Sequence, residues 1–150
     1  MFKVIETFSG IGSQAKALEN IGIKHEILYT VDWDINAIIA YDLIHNGKPN
    51  LEKYNKMNRN EIINKLKKYT LSMNGKKPAT EKAVDNLNYE VAKRLLAAID
   101  RSKNLVSITD IKGVDLPNDV DLLTYSFPCQ DLSVAGFWHG NKGRNRQKCT

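Results

Sequence analysis

The sequence predicts an α/β fold, an open and mostly parallel sheet whose strands are joined by helices. Two observations favour this class. Short apolar runs alternate along the chain with stretches whose apolar residues recur every three to four positions, which is the pattern of strand–helix–strand units. A glycine-rich turn joins the first apolar run to the first such stretch, and glycine lets the backbone pass tightly from a strand into a helix.

The first strand and helix lie at the N-terminus. Residues 2–8 alternate and then become mostly apolar, which predicts a strand. After the glycine turn the apolar residues fall at helical spacing, and Gly22 is placed to end the helix. The apolar face of this helix consists of Ala15, Leu18 and Ile21.

A second strand and helix follow directly. The strand is expected at residues 25–31, and Asp34 is a good N-cap residue for the helix after it. Gly47 is placed to end that helix. Its apolar positions are Ile35, Ile38, Ile39 and Leu43.

The segment 46–105 is polar and rich in Lys and Asn, and we expect it to be helical material inserted between strands rather than a second domain. It contains a weakly amphipathic stretch at Ile62, Ile63, Leu66 and Tyr69. A better helix is predicted over residues 80–102, with its apolar face at Val84, Leu87, Val91, Leu95 and Ile99. Beyond the insertion, residues 105–109 predict a short third strand, and residues 120–125 predict a fourth strand buried on both faces.

Composition limits the class of protein. The chain has 150 residues, of which 42% are hydrophobic and 26% charged, as in one globular domain with a real core. No stretch approaches the roughly 20 apolar residues that span a bilayer. Two cysteines cannot form a disulfide framework, and the three histidines lie far apart, so we expect a cytoplasmic protein without structural metal.

Basic residues are concentrated in two segments. Asn46 to Ile108 holds 14 Lys or Arg against 6 Asp or Glu, and four more basic residues crowd the last nine positions. A phosphate-bearing partner such as nucleic acid would account for this distribution. AT-biased coding, which enriches Lys, Asn and Ile, would account for it equally.

The glycine turn has the spacing of a nucleotide-cofactor loop. Gly10, Gly12 and Ala15 match the pattern G-x-G-x-x-G/A, and Asp32 follows Gly12 by 20 residues at the end of the second strand. A carboxylate there can accept hydrogen bonds from both ribose hydroxyls, so an adenosine-bearing cofactor is indicated. The pattern does not distinguish one such cofactor from another, and a turn serving only packing stays open.

Three further residues at strand ends carry chemistry. Trp33 would be placed to stack on an adenine face, or packs as an ordinary half-buried indole. Asp110 follows the third strand and either accepts a hydrogen bond from an exocyclic amine or caps a loop. Cys129 follows the fourth strand, where Pro128 fixes the backbone, and is either a thiolate nucleophile or a buried apolar residue.

These motifs, in this order, resemble the cytosine-5 DNA methyltransferases, whose fold is the Rossmann-like methyltransferase fold and whose cofactor is S-adenosylmethionine. The resemblance implies that the F-x-G-x-G loop, the acidic–aromatic pair, the adenine-reading segment and the proline before the nucleophile contact the cofactor. In this sequence these are Phe8, Ser9, Gly10, Ile11, Gly12, Asp32, Trp33, Asp110, Ile111 and Pro128. The motif Phe127-Pro128-Cys129-Gln130 looks like the family's F-P-C-Q and makes Cys129 the nucleophile.

The resemblance implies methylation of carbon 5 of a cytosine flipped out of double-stranded DNA, as in bacterial restriction-modification systems. The segment after Cys129 would then close on the DNA. Its expected DNA-contacting residues are Gln130, Ser133, Lys142, Arg144 and Arg146.

One family feature is missing. Attack at carbon 6 needs an acid, which the family takes from the Glu of a later E-N-V motif, and these 150 residues contain no E-N-V and continue for 21 residues after Cys129. We therefore expect a partial catalytic domain over 1–150, without a target-recognition region, that is truncated or works with a C-terminal complementary half. Two other interpretations stay open, a Rossmann oxidoreductase that uses NAD and a non-catalytic remnant that binds DNA or a partner chain.

Overall fold

The computed structural model describes residues 1–126, and within them strands and helices alternate as an α/β fold. In chain order the elements are β1 (Phe2–Thr7), α1 (Ser13–Asn20), β2 (His25–Val31), α2 (Ile35–Asn46), α3 (Glu52–Asn55), α4 (Arg59–Leu66), α5 (Glu81–Asp85), α6 (Tyr89–Arg101) and β3 (Leu122–Thr124). Two single turns of 3-10 helix lie between α6 and β3, at Ile108–Asp110 and Gly113–Asp115. No helix in this part of the chain is long and apolar enough to cross a membrane.

The sheet is parallel, and β1 is its central strand. The strand order over the described residues is β2-β1-β3. Val4 pairs with Ile27 on one side and with Leu122 on the other, and the register with β2 shifts between Val4 and Ile5. The parallel α/β fold is therefore confirmed. Because all three strands run the same way, their carboxyl ends share one edge, where open sheets of this kind bind ligands.

The prediction of a third strand at residues 105–109 was wrong. Only an isolated parallel bridge between Thr30 and Asn104 forms there. Lys103 and Val106 both have positive φ, 47° and 64°, so the backbone turns twice instead of staying extended. The Ser107 hydroxyl then caps a turn of 3-10 helix by accepting from the Thr109 amide.

The fourth predicted strand exists as β3, but it is shorter and more exposed than expected. Three residues are extended, and none of them is buried. Leu123 is 47% exposed. Over residues 1–126, β1 is the only strand beside β3, so one edge of β3 has no strand partner and the prediction of burial on both faces was wrong.

Local capping explains where the helices begin and end. Asp34 caps α2 as predicted, because its carboxylate accepts from the Asn36 amide at 2.8 Å and from the Ala37 amide at 3.3 Å. The single helix predicted over 80–102 is instead α5 and α6. Asn88 interrupts it, because its side chain accepts from the Glu90 amide and starts a new helix.

The main apolar core lies among the helices and includes the inserted segment. Helices α3 to α6 all fall within 46–105. Their buried side chains form one cluster with those of α2, in which Ile38, Ile62, Leu66 and Leu95 are at most 1% exposed. Helix α2, which directly follows Asp34, is thereby held from the insertion side.

A buried ion pair joins the ends of α2 and α6. Arg101 Nη1 lies 3.1 Å from Asp42 Oδ2, and Arg101 Nη2 donates to the carbonyls of Asn46 and Gly47. The Asp42 side chain is only 2% exposed. Burial raises the pKa of Asp42, against the opposing effect of the Asn46 amide and the Arg101 charge. Arg101 thus compensates a carboxylate that water does not reach.

Replacing Arg101 with methionine is expected to lower the free energy of unfolding by about 2–3 kcal/mol at pH 7, because the buried carboxylate loses its counter-charge. The folded-state pKa of Asp42 already lies above its unfolded value. Burial of this group is therefore tolerated when it is protonated near pH 4, and stability is lost as the pH rises through the folded pKa.

Removing Arg101 raises that pKa further, so the loss should be smaller near pH 4 than at pH 7. Urea unfolding at the two pH values measures the difference. Arg94→Met, an exposed position on the same helix, is the control, and an equal loss for Arg101→Met at both pH values would contradict the prediction.

Candidate functional site

The glycine turn after β1 is built from left-handed backbone. Phe8, Gly10 and Gly12 have φ values of 53°, 53° and 84°. The Ser9 amide donates to the Val31 carbonyl at the end of β2, and the Gly12 amide donates to the Ser9 carbonyl at 2.8 Å. The turn is therefore fixed to the carboxyl edge of the sheet.

Helix α2 presses on the same turn at Gly12. A Cβ atom at this position would collide with His45 Nε2 and lie 2.8 Å from Tyr41 Cε2. His45 Nε2 donates to the Ile11 carbonyl at 3.0 Å, and the two rings contact each other with centroids 4.4 Å apart. Gly12 is thus required both by its φ and by the close approach of α2.

A buried carboxylate on β1 holds both helices. Glu6 is 0% exposed; its Oε1 accepts from the Ala15 amide at 3.0 Å, and its Oε2 accepts from the Tyr41 hydroxyl at 2.9 Å. Burial, reinforced by the Glu6 carboxylate, raises the pKa of Tyr41 well above its usual range, which keeps the phenol a donor. One amide of the first turn of α1 is therefore taken by Glu6 instead of facing a ligand.

Asp32 connects the end of β2 to the glycine turn. Its Oδ2 accepts from the Gly10 amide at 2.8 Å, and its Oδ1 accepts from the Asp34 amide at 2.9 Å. The Asn104 side chain accepts from the Asp32 amide at 3.3 Å and from the Val106 amide at 2.7 Å. Asn104 thus aligns the end of β2 with the turn that follows α6.

A cavity of about 360 Å³ opens at this edge of the sheet, within the usual range for small-molecule sites. Its lining combines apolar side chains with the carboxylates of Asp32 and Asp34. The lining residues are Phe8, Val31, Asp32, Trp33, Asp34, Ala37, Gly75, Val106, Ser107, Ile108 and Thr109.

Two strained residues face each other across this cavity's lining. In residues 1–126, Phe8, Lys103 and Val106 are the non-glycine residues with positive φ, and Phe8 and Val106 both line the cavity. A positive φ is costly for a bulky side chain and most of all for a β-branched one such as Val106. Strain of this kind concentrates at ligand sites, where the surrounding structure maintains it.

Two buried hydroxyls at the same edge lack partners within the described part of the chain. They are Ser9 Oγ, after β1, and Thr124 Oγ1, at the end of β3. Buried polar atoms without a hydrogen bond are uncommon in native proteins and often mark the place of a ligand. The edge therefore has unused hydrogen-bonding capacity.

The structure brings together part of the predicted site. Phe8, Asp32 and Trp33 line the cavity, and Gly10 is hydrogen-bonded to Asp32. Asp110 and Ile111 are not among the lining residues, and the preceding residues, 107–109, occupy that wall instead. The remaining predicted positions lie outside the described residues. They are Pro128, Cys129, Gln130, Ser133, Lys142, Arg144 and Arg146.

Some residues of the site carry no sequence signal for it. Asn74-Gly75 is a recognisable turn dipeptide, but nothing in the pattern places it beside Asp34. Asn104 and Val106 are also silent, because their role depends on the two reversals of the backbone after α6. In residues 1–126 no three His, Cys, Asp or Glu side chains come together as metal ligands.

The parallel sheet, the glycine turn and the acidic–aromatic pair define a Rossmann-like cofactor-binding protein. The model of the C-5 cytosine-specific DNA methylases matches residues 2–70 and 57–148. The chain is 39% identical over 144 residues to the orphan methyltransferase M.SssI of Spiroplasma monobiae. It is 36% identical over 143 residues to the type II methyltransferase M2.ScrFI of Lactococcus lactis subsp. cremoris.

Each alignment covers 93% of this chain, which spans 37% and 38% of the two relatives. The chain belongs to the C-5 cytosine-specific DNA methylase family. Enzymes of this family depend on S-adenosylmethionine and act on DNA.

Proposed function

We propose that this chain forms the cofactor-binding and nucleophile part of a DNA cytosine-5 methyltransferase. The observation that carries the proposal is the cavity at the carboxyl edge of the sheet, because Asp32, Trp33 and Phe8 line it together. An acid, an indole and a glycine turn on one cavity provide the groups that recognise an adenosine.

The residues present fit S-adenosylmethionine. Each carboxylate oxygen of Asp32 accepts one backbone amide and keeps capacity for a further hydrogen bond, so both ribose hydroxyls have an acceptor. Trp33 offers an aromatic face for adenine. When bound, S-adenosylmethionine supplies the electrophilic methyl group of its sulfonium. The unpartnered Ser9 and Thr124 hydroxyls add donors at the same edge.

Cys129 is the proposed nucleophile, at the F-P-C-Q motif that follows β3. Carbon 5 of cytosine is a poor nucleophile by itself, and addition of the Cys129 thiolate at carbon 6 makes carbon 5 electron-rich. A cytosine inside a duplex is out of reach, so the base must be flipped out. Gln130, Ser133, Lys142, Arg144 and Arg146 are the proposed contacts to the DNA.

The acid that this addition needs is proposed to come from sequence other than these 150 residues, in the same polypeptide or in a complementary chain. The coverage of 37–38% of the relatives' length supports this part of the proposal. A cytoplasmic location, where DNA and S-adenosylmethionine meet, completes it.

Calorimetric titration of the chain with S-adenosylmethionine tests the cofactor assignment. We expect saturable one-site binding that excess NAD does not displace. An oxidoreductase of the same general fold would show the reverse preference. Binding of NAD in place of S-adenosylmethionine would therefore refute the proposal.

Covalent trapping tests the nucleophile. Duplex DNA carrying 5-fluorocytosine is incubated with the chain and S-adenosylmethionine, alone and with the C-terminal part of a family member added. Fluorine at carbon 5 prevents the final elimination, so a Cys129 adduct should persist in denaturing gels. Cys129→Ala must abolish the adduct while Cys149→Ala preserves it. An adduct that survives Cys129→Ala would exclude Cys129 as the nucleophile.

A further inference from the structure

The inserted segment contains a compact loop between α4 and α5. Residues 71–79, here called the 71–79 loop, are closed by a hydrogen bond from the Ala79 amide to the Leu71 carbonyl at 2.7 Å. Inside the loop, the Ser72 hydroxyl donates to the Lys77 carbonyl at 2.6 Å, and the Lys76 amide donates to the Asn74 side chain at 3.1 Å. The loop thus has a defined conformation of its own.

Backbone hydrogen bonds attach this loop to the acidic–aromatic pair. The Ser72 amide donates to the Trp33 carbonyl at 2.7 Å, and the Ile35 amide donates to the Ser72 carbonyl at 3.0 Å. Asp34 and Ser72 form a parallel bridge, and Ser72 is 0% exposed. Any shift of the loop would therefore move the backbone that carries Asp32 and Trp33.

The tip of the loop reaches the cavity. Gly75 is one of the lining residues. It has a φ of +68°, and a Cβ at its position would lie 3.2 Å from Asp34 Oδ2. That distance is tighter than ordinary van der Waals contact, so both the backbone conformation and the space call for glycine. Close approach of a backbone with no side chain is a common way to admit a flat ligand.

We infer that the 71–79 loop is a wall of the cofactor site that contacts the adenosine group, with Gly75 as the contact residue and Ser72 as a positioning residue. This rests on the proposed function of the cavity. The inserted segment then has a role in cofactor binding that its Lys/Asn-rich composition does not suggest. The loop holds the end of β2 from the side opposite to Asn104, and Gly75 sets the width of the cavity beside Asp34.

Gly75→Ala in the full chain tests the inference by titration with S-adenosylmethionine. We expect the Kd to rise at least about tenfold. Gly22→Ala is the matched control, because Gly22 has a similar φ of +75° and open space around its Cβ position. Both variants should lose similar stability in urea, but Gly22→Ala should keep its Kd within about twofold of the wild type. An unchanged Kd for Gly75→Ala would overturn the inference.

Hydrogen exchange on the unaltered chain gives a second readout that a purely structural loop would not move. Saturating S-adenosylmethionine should slow exchange at the Ser72 and Lys76 amides and leave the amides of α4 unchanged. Equal exchange with and without cofactor would contradict the contact.

The two levels of the proposal fail differently. A chain that binds no S-adenosylmethionine overturns the function and the loop's role together. A chain that binds it, and loses affinity with Asp32→Asn but not with Gly75→Ala, overturns the loop's role alone.

Discussion

Asp32→Asn is expected to weaken S-adenosylmethionine binding about 100-fold, which corresponds to about 2.7 kcal/mol. Hydrogen bonds to a charged acceptor contribute more than those to a neutral one, and an amide nitrogen in place of one oxygen is a donor that cannot accept from a ribose hydroxyl. The same nitrogen would face the amide of Gly10 or of Asp34, which donate to the two carboxylate oxygens. Calorimetric titration measures the change in Kd.

Asp119→Asn is the matched control for this experiment. Asp119 is also a described aspartate, but its side chain is 67% exposed and pairs with Lys3 on the surface, at the opposite end of β1 from the glycine turn. Surface ion pairs contribute little to stability, so this variant should bind within about twofold of the wild type. A Kd for Asp32→Asn within about threefold of the wild type would remove Asp32 from the cofactor site.

Gly12→Ala is expected to have the largest effect on stability, a loss of about 2–4 kcal/mol in the free energy of unfolding. Its φ of +84° is unfavourable for alanine. The added methyl also overpacks the contact with the rings of His45 and Tyr41. These rings cannot move freely, because one donates to the Ile11 carbonyl and the other to the buried Glu6 carboxylate. Urea denaturation measures the loss.

Gly22→Ala separates the two causes of that loss. Gly22 ends α1 with a φ of +75° and has no atom within 4 Å of its Cβ position, so its replacement carries the conformational cost alone, about 1 kcal/mol. The excess loss in Gly12→Ala then reports the contact with α2. Equal losses in the two variants would show that α2 yields without cost.

Local signals explain what could be predicted. Asp34 caps α2 through amides two and three residues away, and Gly22 ends α1 through its own φ. Such interactions lie within a few residues of each other, so composition and spacing reveal them. The same reasoning failed for residues 105–109, because the positive φ of Val106 is maintained by Asn104 and by packing and has no propensity that announces it.

The sequence by itself determined the parallel α/β class, the glycine turn, the place of Asp32 and Trp33 at the end of β2, and the likeness to cytosine-5 methyltransferases. Only the tertiary structure decided that Glu6 ties β1 to α1 and α2, and that Gly75 of the insertion lies on the same cavity as Trp33. The physical reason is the range of the interactions. Backbone turns and caps are written in neighbouring residues, whereas the walls of the cavity come from segments 30 to 100 residues apart that meet only when the core packs.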